Sequence, residues 1–241
     1  MKIFGKNAVL EAIKSGATID KLIVKKGLKD GASQRIIDEA KAAGIRVSFL
    51  EKEVLDKEAG SPVHQGFVAE VTDFNYCTLD DILNKAKGAA RPPFILLLDG
   101  IEDPHNLGSI LRVAECAGVD GVVIPRHRSA SINSTVIKVS AGASANILVA
   151  KVVNISDAIE YLKKSGVWIY ACDMDGQSVY KTNLKGAIGL VIGGEDKGVG
   201  KRARGLCDGA VSIPMKGKTG SLNASVATGV VVFEKLRQEI L

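Results

Sequence analysis

From Phe94 onward the chain is punctuated by short, solidly apolar runs: FILLLD, GVVIP, NILVAKV, VWIYACD and GLVIGG. Strands apolar on both faces belong to parallel sheets covered by helices, and the segments between these runs, Ser109 to Ala117 and Asp157 to Lys164 among them, carry helical spacing. The first part of the chain alternates on a smaller scale. Its pattern predicts a helix at Asn7 to Ile13, a strand at Leu22 to Val24, a helix at Gln34 to Ala43, and strands at Ile45 to Phe49 and Gly66 to Val71. A further helical stretch, Leu79 to Ala86, runs into Gly88-Ala89-Ala90-Arg91-Pro92-Pro93, a linker signature. The reading is a small α/β domain over 1–72, a linker over 73–92 and a larger parallel α/β domain over 93–241. The last helix carries Ala224, Ala227 and Gly229 on an otherwise apolar surface, a small-residue face suited to close packing, including packing between subunits.

Composition removes several classes of function. With 46% hydrophobic and 24% charged residues the chain is an ordinary globular protein, not a disordered or fibrous one. The apolar runs fall well short of the roughly 18 residues that cross a bilayer, and the N-terminus has no apolar signal core, so a cytoplasmic protein without a membrane partner is expected. Four cysteines without a CxxC pair and three scattered histidines argue against a disulfide framework or a metal site. Lysine and arginine number 32 against 27 acids, a net charge of +5 that mildly favours polyanionic partners. Gly counts 26 and Pro only 6, the balance of tight turns rather than of flexible linkers.

In parallel α/β sheets ligands bind beyond the carboxyl ends of the strands, so the loops leaving the strongest strands carry the search for chemistry. Three stand out. The first, after Leu98, runs through Asp99, Gly100, Asp103, His105 and Asn106 into a helix bearing Arg112. Asn106 reads as a helix N-cap; Arg112 reads either as a guanidinium held by a carboxylate or phosphate, or as a surface partner of Glu115 or Glu102. The second, VIGGEDKGVG, puts Gly193 and Gly194 at a strand end, where backbone could approach a ligand or simply turn. The third follows Ile213 through a loop rich in Gly and Lys to Ser221-Leu222-Asn223, with Ser221 a candidate cap of the last helix. Neither a P-loop nor a GxGxxG fingerprint is present: GKT at 217–219 would need glycine at position 212, which is Ser212.

Taken together, Asn106 with Arg112, then Gly193-Gly194-Glu195 with Gly198, then Ser221-Leu222-Asn223-Ala224-Ser225 resemble the three signature motifs of the SpoU branch of the SPOUT RNA methyltransferases, over most of residues 94–241. Gly5-Lys6-Asn7-Ala8-Val9 and His64-Gln65-Gly66 resemble the small RNA-binding domain of those members that methylate a guanosine 2'-hydroxyl in bacterial 23S rRNA. The resemblance implies a trefoil-knotted parallel α/β sheet for the C-terminal domain and an N-terminal domain like ribosomal protein L30e. It also implies a homodimer and S-adenosylmethionine as cofactor, held at Gly193, Gly194, Ile213 and Leu222. Asn106, Arg112, Glu195, Ser221 and Asn223 become the catalytic set, with Arg112 deprotonating or orienting the hydroxyl. His105, which titrates near neutral pH, is a rival base or a plain loop histidine.

RNA contacts are expected from Lys6, Asn7 and His64 in the first domain and from Lys197 and Lys201 after the second motif. Arg126, His127 and Arg128 form a further basic cluster, which reads either as phosphate contacts or as solvated surface. With aromatic residues at 5%, no base-stacking platform is indicated. Two alternatives keep the fold: methylation of a tRNA ribose, or of another rRNA loop by a resistance enzyme. A third is a noncatalytic RNA-binding factor, against which the joint presence of Asn106, Arg112, Glu195 and Asn223 argues.

Overall fold

A computed structural model describes residues 2–15, 17–60, 62–72, 74–195, 197–218 and 220–241; Asp196, the second acid of the middle motif, and Thr219 of the GKT stretch lie outside the described residues. The chain forms two units, Met1–Asn75 with Ser131–Ser134, and Tyr76–Ala130 with Thr135–Leu241.

In the first unit, β1 (Lys2–Phe4), α1 (Lys6–Lys14), β2 (Thr18–Lys25), α2 (Gly31–Ala42), β3 (Arg46–Leu50), α3 (Lys52–Ala59) and β4 (Phe67–Thr72) build a sheet of order β1-β4-β2-β3. β2 and β3 are parallel, while β4 runs antiparallel to β1 and β2. Alternation in the strands sends Leu22, Val24, Phe67 and Ala69 to a core shared with α1 and α2, and Ile23 and Val68 to a second core under Leu55 of α3. Helix α3 was not predicted. Its sequence buries only Leu55 and Ala59, too few apolar positions to register as a period, and it stops at Gly60 in the left-handed region, φ 65°.

The second unit holds α4 (Leu79–Gly88), β5 (Phe94–Asp99), α5 (Pro104–Cys116), β6 (Gly121–Pro125), α6 (Ser134–Val139), β7 (Leu148–Val152), α7 (Ile155–Lys164), β8 (Trp168–Ser178), β9 (Ile188–Gly193), α8 (Lys201–Leu206), β10 (Gly209–Ser212) and α9 (Ala224–Ile240). The strands form one six-stranded sheet of order β10-β8-β9-β5-β6-β7, parallel throughout. The linker expected over 73–92 is largely part of this unit. Thr78 and Asp81 close a capping box at the start of α4, and Ile82 and Ala86 are fully buried in the core. Arg91, read as linker, grips Asp120 through Nη1 at 3.0 Å and Nη2 at 2.7 Å. The Asp120 carboxylate has no exposed surface and also accepts from Phe94 N–H at 2.9 Å, so a buried charge is paired as burial demands.

Two features of this unit shape the site. Ala210 pairs with Ala171, but the next residue, Val211, pairs with Gln177, so residues 172–176 of β8 leave the ladder. The chain rejoins it at Gln177, and a Cβ on the preceding Gly176 would lie 2.6 Å from the Ala210 and Val211 backbone. Helix α9 packs on α5 with Gly229 facing Val113; of its small residues Ala224 is buried, Gly229 is half-buried and Ala227, also half-buried, borders the cleft described below. The apolar positions that α9 leaves outward are Val226, Phe233 and Ile240, spaced by seven and 52%, 46% and 73% exposed. Among the described residues no helix is long and apolar enough to cross a membrane.

Candidate active site

The carboxyl ends of β5 and β9 are laced together by backbone. Gly194 N–H donates to Asp99 O at 2.9 Å, Gly198 N–H to Gly194 O at 2.9 Å, and Gly200 N–H to the Asp99 carboxylate at 2.8 Å. A Cβ on Gly193 would stand 2.1 Å from the Gly198 carbonyl carbon, and one on Gly194 would stand 2.4 Å from Gly100 O. The two glycines are therefore required where the loops leaving β5 and β9 cross, whatever else they border. Both still border the cleft described below.

Helix α5 starts with Asp103 as N-cap, whose carboxylate accepts from His105 N–H at 3.1 Å and Asn106 N–H at 3.4 Å, with Pro104 in the first turn. Asn106 is thus not the cap, and its side chain is free for other work. Its Nδ2 donates to Glu195 Oε1 at 3.0 Å, and its Oδ1 accepts from Asn223 Nδ2 at 2.8 Å. Asn223 also donates to Glu195 Oε1 at 2.6 Å, closing a triangle. It is Asn223, not Ser221, that caps α9, its Oδ1 accepting from Ser225 N–H at 3.0 Å and Val226 N–H at 3.4 Å. Three residues predicted from three separate motifs therefore share one hydrogen-bonded cluster. Both Nδ2 hydrogens of Asn223 are used, which leaves Glu195 Oε2 and the second Asn106 N–H as the groups the cluster offers among the described residues.

Beside the cluster opens a cleft of about 580 Å³, within the ~300–1,000 Å³ of small-molecule sites. All four residues predicted to hold cofactor, Gly193, Gly194, Ile213 and Leu222, line it, as do Glu195, Lys197 and Ser221. The segment of β8 that leaves the ladder supplies Cys172, Asp173 and Met174 to the wall, and none of these was singled out in the sequence. The only hint of them is that VWIYACD turns polar at its end. Burial pushes the Cys172 thiol up to about 12, so it stays protonated and is no nucleophile at neutral pH. Asp173 faces Arg204 at 3.6 Å.

Arg112 does not join the cluster. It is exposed on α5 and, among the described residues, forms no ion pair with Glu102 or Glu115. Six positions beyond Asn106, it lies about 9 Å along the helix and about 120° around it. His105, seven positions before Arg112 and also exposed, shares its face. Lys201 is exposed at the start of α8.

In the first unit the two N-terminal motifs meet. Gly5 N–H donates to Phe67 O at 3.1 Å, and Gln65 Oε1 accepts from Lys6 N–H at 3.1 Å, which caps α1 from across the fold. Lys6 Nζ pairs with Asp30 at 2.9 Å, and Lys6 with Ser33 holds that carboxyl well below its ordinary range. Asn7 is exposed. His64 corrects an expectation: it is 3% exposed, its Nδ1 accepts from Gly66 N–H at 3.0 Å, and its Nε2 donates to Asp56 at 2.5 Å. Both ring nitrogens are engaged inside the fold, where they fix the turn that places Gln65 and Gly66.

Comparison with known proteins follows the same division. The sequence model described as SpoU rRNA Methylase family matches residues 93–233, and the one described as RNA 2'-O ribose methyltransferase substrate binding matches residues 2–77. The putative TrmH family tRNA/rRNA methyltransferase YacO of Bacillus subtilis (strain 168) is 40% identical over 238 residues, covering 98% of this chain and 95% of that protein. The 23S rRNA (guanosine-2'-O-)-methyltransferase RlmB of Xanthomonas axonopodis pv. citri is 40% identical over 240 residues, covering 99% and 96%. Among solved structures, the SpoU methyltransferase AviRb from Streptomyces viridochromogenes, in complex with AdoMet, aligns with a TM-score of 0.64 at 22% identity, over 100% of this chain and 90% of that one. The fold is shared.

Proposed function

The chain belongs to the SpoU rRNA methylase family, as an RNA ribose 2'-O-methyltransferase that uses S-adenosylmethionine, and from that premise we propose that its target is a guanosine of 23S rRNA. The observation that carries the reading is the convergence of Asn106, Glu195 and Asn223, 89 and 28 positions apart, at the mouth of the cleft.

The cleft fits the donor. Ile192, Ile213, Leu222 and Val231 give it apolar walls, and the irregular backbone at 213–215 and 220–222 borders it with peptide groups. When bound, the donor supplies an electrophilic sulfonium methyl. The chain's part is to hold a ribose hydroxyl in line with it, and positioning of this kind supplies much of the acceleration in such transfers. Glu195 Oε2 and the open Asn106 N–H, fixed by the triangle, are the groups assigned to the hydroxyl, with Ser221 at the cleft wall. Arg112, a guanidinium with five N–H donors and no acceptor atom, orients the acceptor and offsets developing charge rather than acting as base. A homodimer formed through the outward stripe of α9 belongs to the same reading, with α5 offering Arg112 from its exposed face. The first unit holds RNA through Lys6 and Asn7, with Lys197 and Lys201 assisting from the second. The L30e-like and knotted folds, and a cytoplasmic setting among ribosomes, complete the proposal.

Mapping ribose methylation in total RNA with and without the protein tests it. A 23S guanosine mark that disappears on deletion is the expected result. A mark lost only from tRNA would favour the second reading, which the tRNA/rRNA naming of the Bacillus relative keeps in view.

A further inference from the structure

Strand β6 ends at Pro125, and the next three residues, Arg126, His127 and Arg128, are all basic or titratable and all exposed. The loop is pinned at both ends. Arg126 N–H donates to Val152 O at 2.8 Å, and Ala130 N–H donates to Ile101 O at 2.8 Å, in the turn that leads to Asn106. Arg128 holds a left-handed backbone, φ 55°, uncommon for a residue with a side chain. Among the described residues none of these three side chains forms an ion pair or a hydrogen bond to another side chain, whereas Lys6, Lys26, Arg91 and Lys163 are each matched with an acid. On the neighbouring strand Lys151, paired in register with Ile124, sits over the Tyr76 ring at 4.9 Å. Burial first, and then the charge of Arg126, pushes Lys151 below the ordinary lysine range.

The strand order fixes where this loop lies. Along the carboxyl edge of the sheet the cleft occupies β10, β8 and β9, the Asn106–Glu195–Asn223 cluster sits over the exits of β9 and β5, and the basic loop leaves β6. At about 4.8 Å per strand the loop starts about 10 Å from the exit of β9, within reach of a nucleotide adjoining the target. We propose that Arg126 and Arg128 grip the RNA backbone beside the target nucleotide, on the side of the cluster away from the donor cleft, so that the bound strand runs along this edge from β6 toward β9. A guanidinium matches a phosphate in two parallel hydrogen bonds, and two unmatched ones on a pinned loop suit a chain of phosphates better than any single small anion. The inference rests on the reading that RNA is the acceptor.

The test uses full-length protein and 23S rRNA isolated from cells that lack it. For Arg126→Ala/Arg128→Ala, filter binding should give a log–log salt slope shallower by about 1.4, two contacts at ~0.7 each for single strands, which at 0.15 M salt is a loss of about tenfold in RNA affinity. The KM for RNA should rise by a similar factor, while kcat and donor affinity by calorimetry stay within twofold. Arg126→Lys/Arg128→Lys, which keeps the charges, should retain the wild-type slope. An alanine pair with unchanged slope and KM overturns the inference, and so does a lysine pair as shallow as the alanine pair. Because the slope is read without turnover, wild-type protein that binds this RNA but transfers no methyl to it refutes the 23S assignment separately.

Discussion

Replacing Glu195 by alanine removes the acceptor shared by Asn106 Nδ2 at 3.0 Å and Asn223 Nδ2 at 2.6 Å. Hydrogen bonds to a charged acceptor contribute ~1.5–3 kcal/mol each. The cluster is exposed, so the low end applies and the two bonds together hold the amides with ~3 kcal/mol. Asn223 keeps its bond to Asn106 and its cap on α9, so the loss in folding stability is at most that ~3 kcal/mol and the melting temperature should fall by no more than about 6–12 °C, leaving the chain folded at the assay temperature. If the triangle orients the acceptor hydroxyl, the 3 kcal/mol is felt in the transition state, and single-turnover transfer of a radiolabelled methyl at saturating RNA should slow by ~10²-fold. Glu195→Gln keeps one oxygen and loses the charge, and should fall between, at about tenfold. Turnover of Glu195→Ala within threefold of wild type would refute the orienting role. A matching loss of rate accompanied by a collapse in melting temperature would make the triangle structural instead.

Arg112→Ala should abolish transfer with donor affinity intact, since Arg112 lies off the cleft, while His105→Ala should cost less than threefold; a reversal of the two in the same assay would hand the acceptor role to the histidine. His64→Ala deletes a buried ring with two hydrogen bonds and should destabilise by ~2–3 kcal/mol in urea, and loss of RNA affinity without loss of stability would restore His64 as a contact. Phe233→Glu should give monomers by light scattering, and a dimer that persists would remove α9 from the interface. Hydrogen bonds from Arg237 and then Gln238 lower the Glu234 carboxyl to about 2 in the fold. Its contribution, about 1–2 kcal/mol after allowance for the exposed arginine, is present above the unfolded value near ~4.3 and is lost as pH falls toward 2. The stability gap between wild type and Glu234→Gln should therefore close between pH 5 and pH 2, and a gap constant with pH would contradict the ion pair.

The central strands were legible because a strand buried on both faces has no polar position to blur it, as FILLLD and GLVIGG show against β5 and β9. Elements held by few apolar contacts were not legible: β1 has three residues and α3 buries two. The linker reading failed at Ala86 and Arg91, where a helical pattern and a Pro-Pro pair fit a linker equally well until Asp120, 29 positions away, is seen to need the guanidinium. Within the site, identity was legible and cause was not. Asn106 and Asn223 were both found, yet which of them caps a helix depends on Asp103 and Pro104 in one case and on the helix starting three residues past Ser221 in the other. Cys172 to Met174 escaped because a jump in strand register leaves no more local trace in sequence than the polar end of VWIYACD. The outward stripe of α9 was hidden behind its small residues for a related reason, since periodicity shows that a helix has faces and not which neighbour each face meets.

The crossing at Gly100, Gly194 and Gly198 reaches beyond the geometry of a turn. The loop that carries Glu195 and the loop that leads to Asn106 are fastened by contacts into which no methyl group fits. Neither half of the acceptor cluster is therefore free to drift in sequence on its own account. A substitution at Gly194 is felt at Gly100, and through it at Asn106, so changes in the two loops should combine non-additively. What looks like two separate motifs when read along the chain is, for the purposes of variation and redesign, a single heritable part.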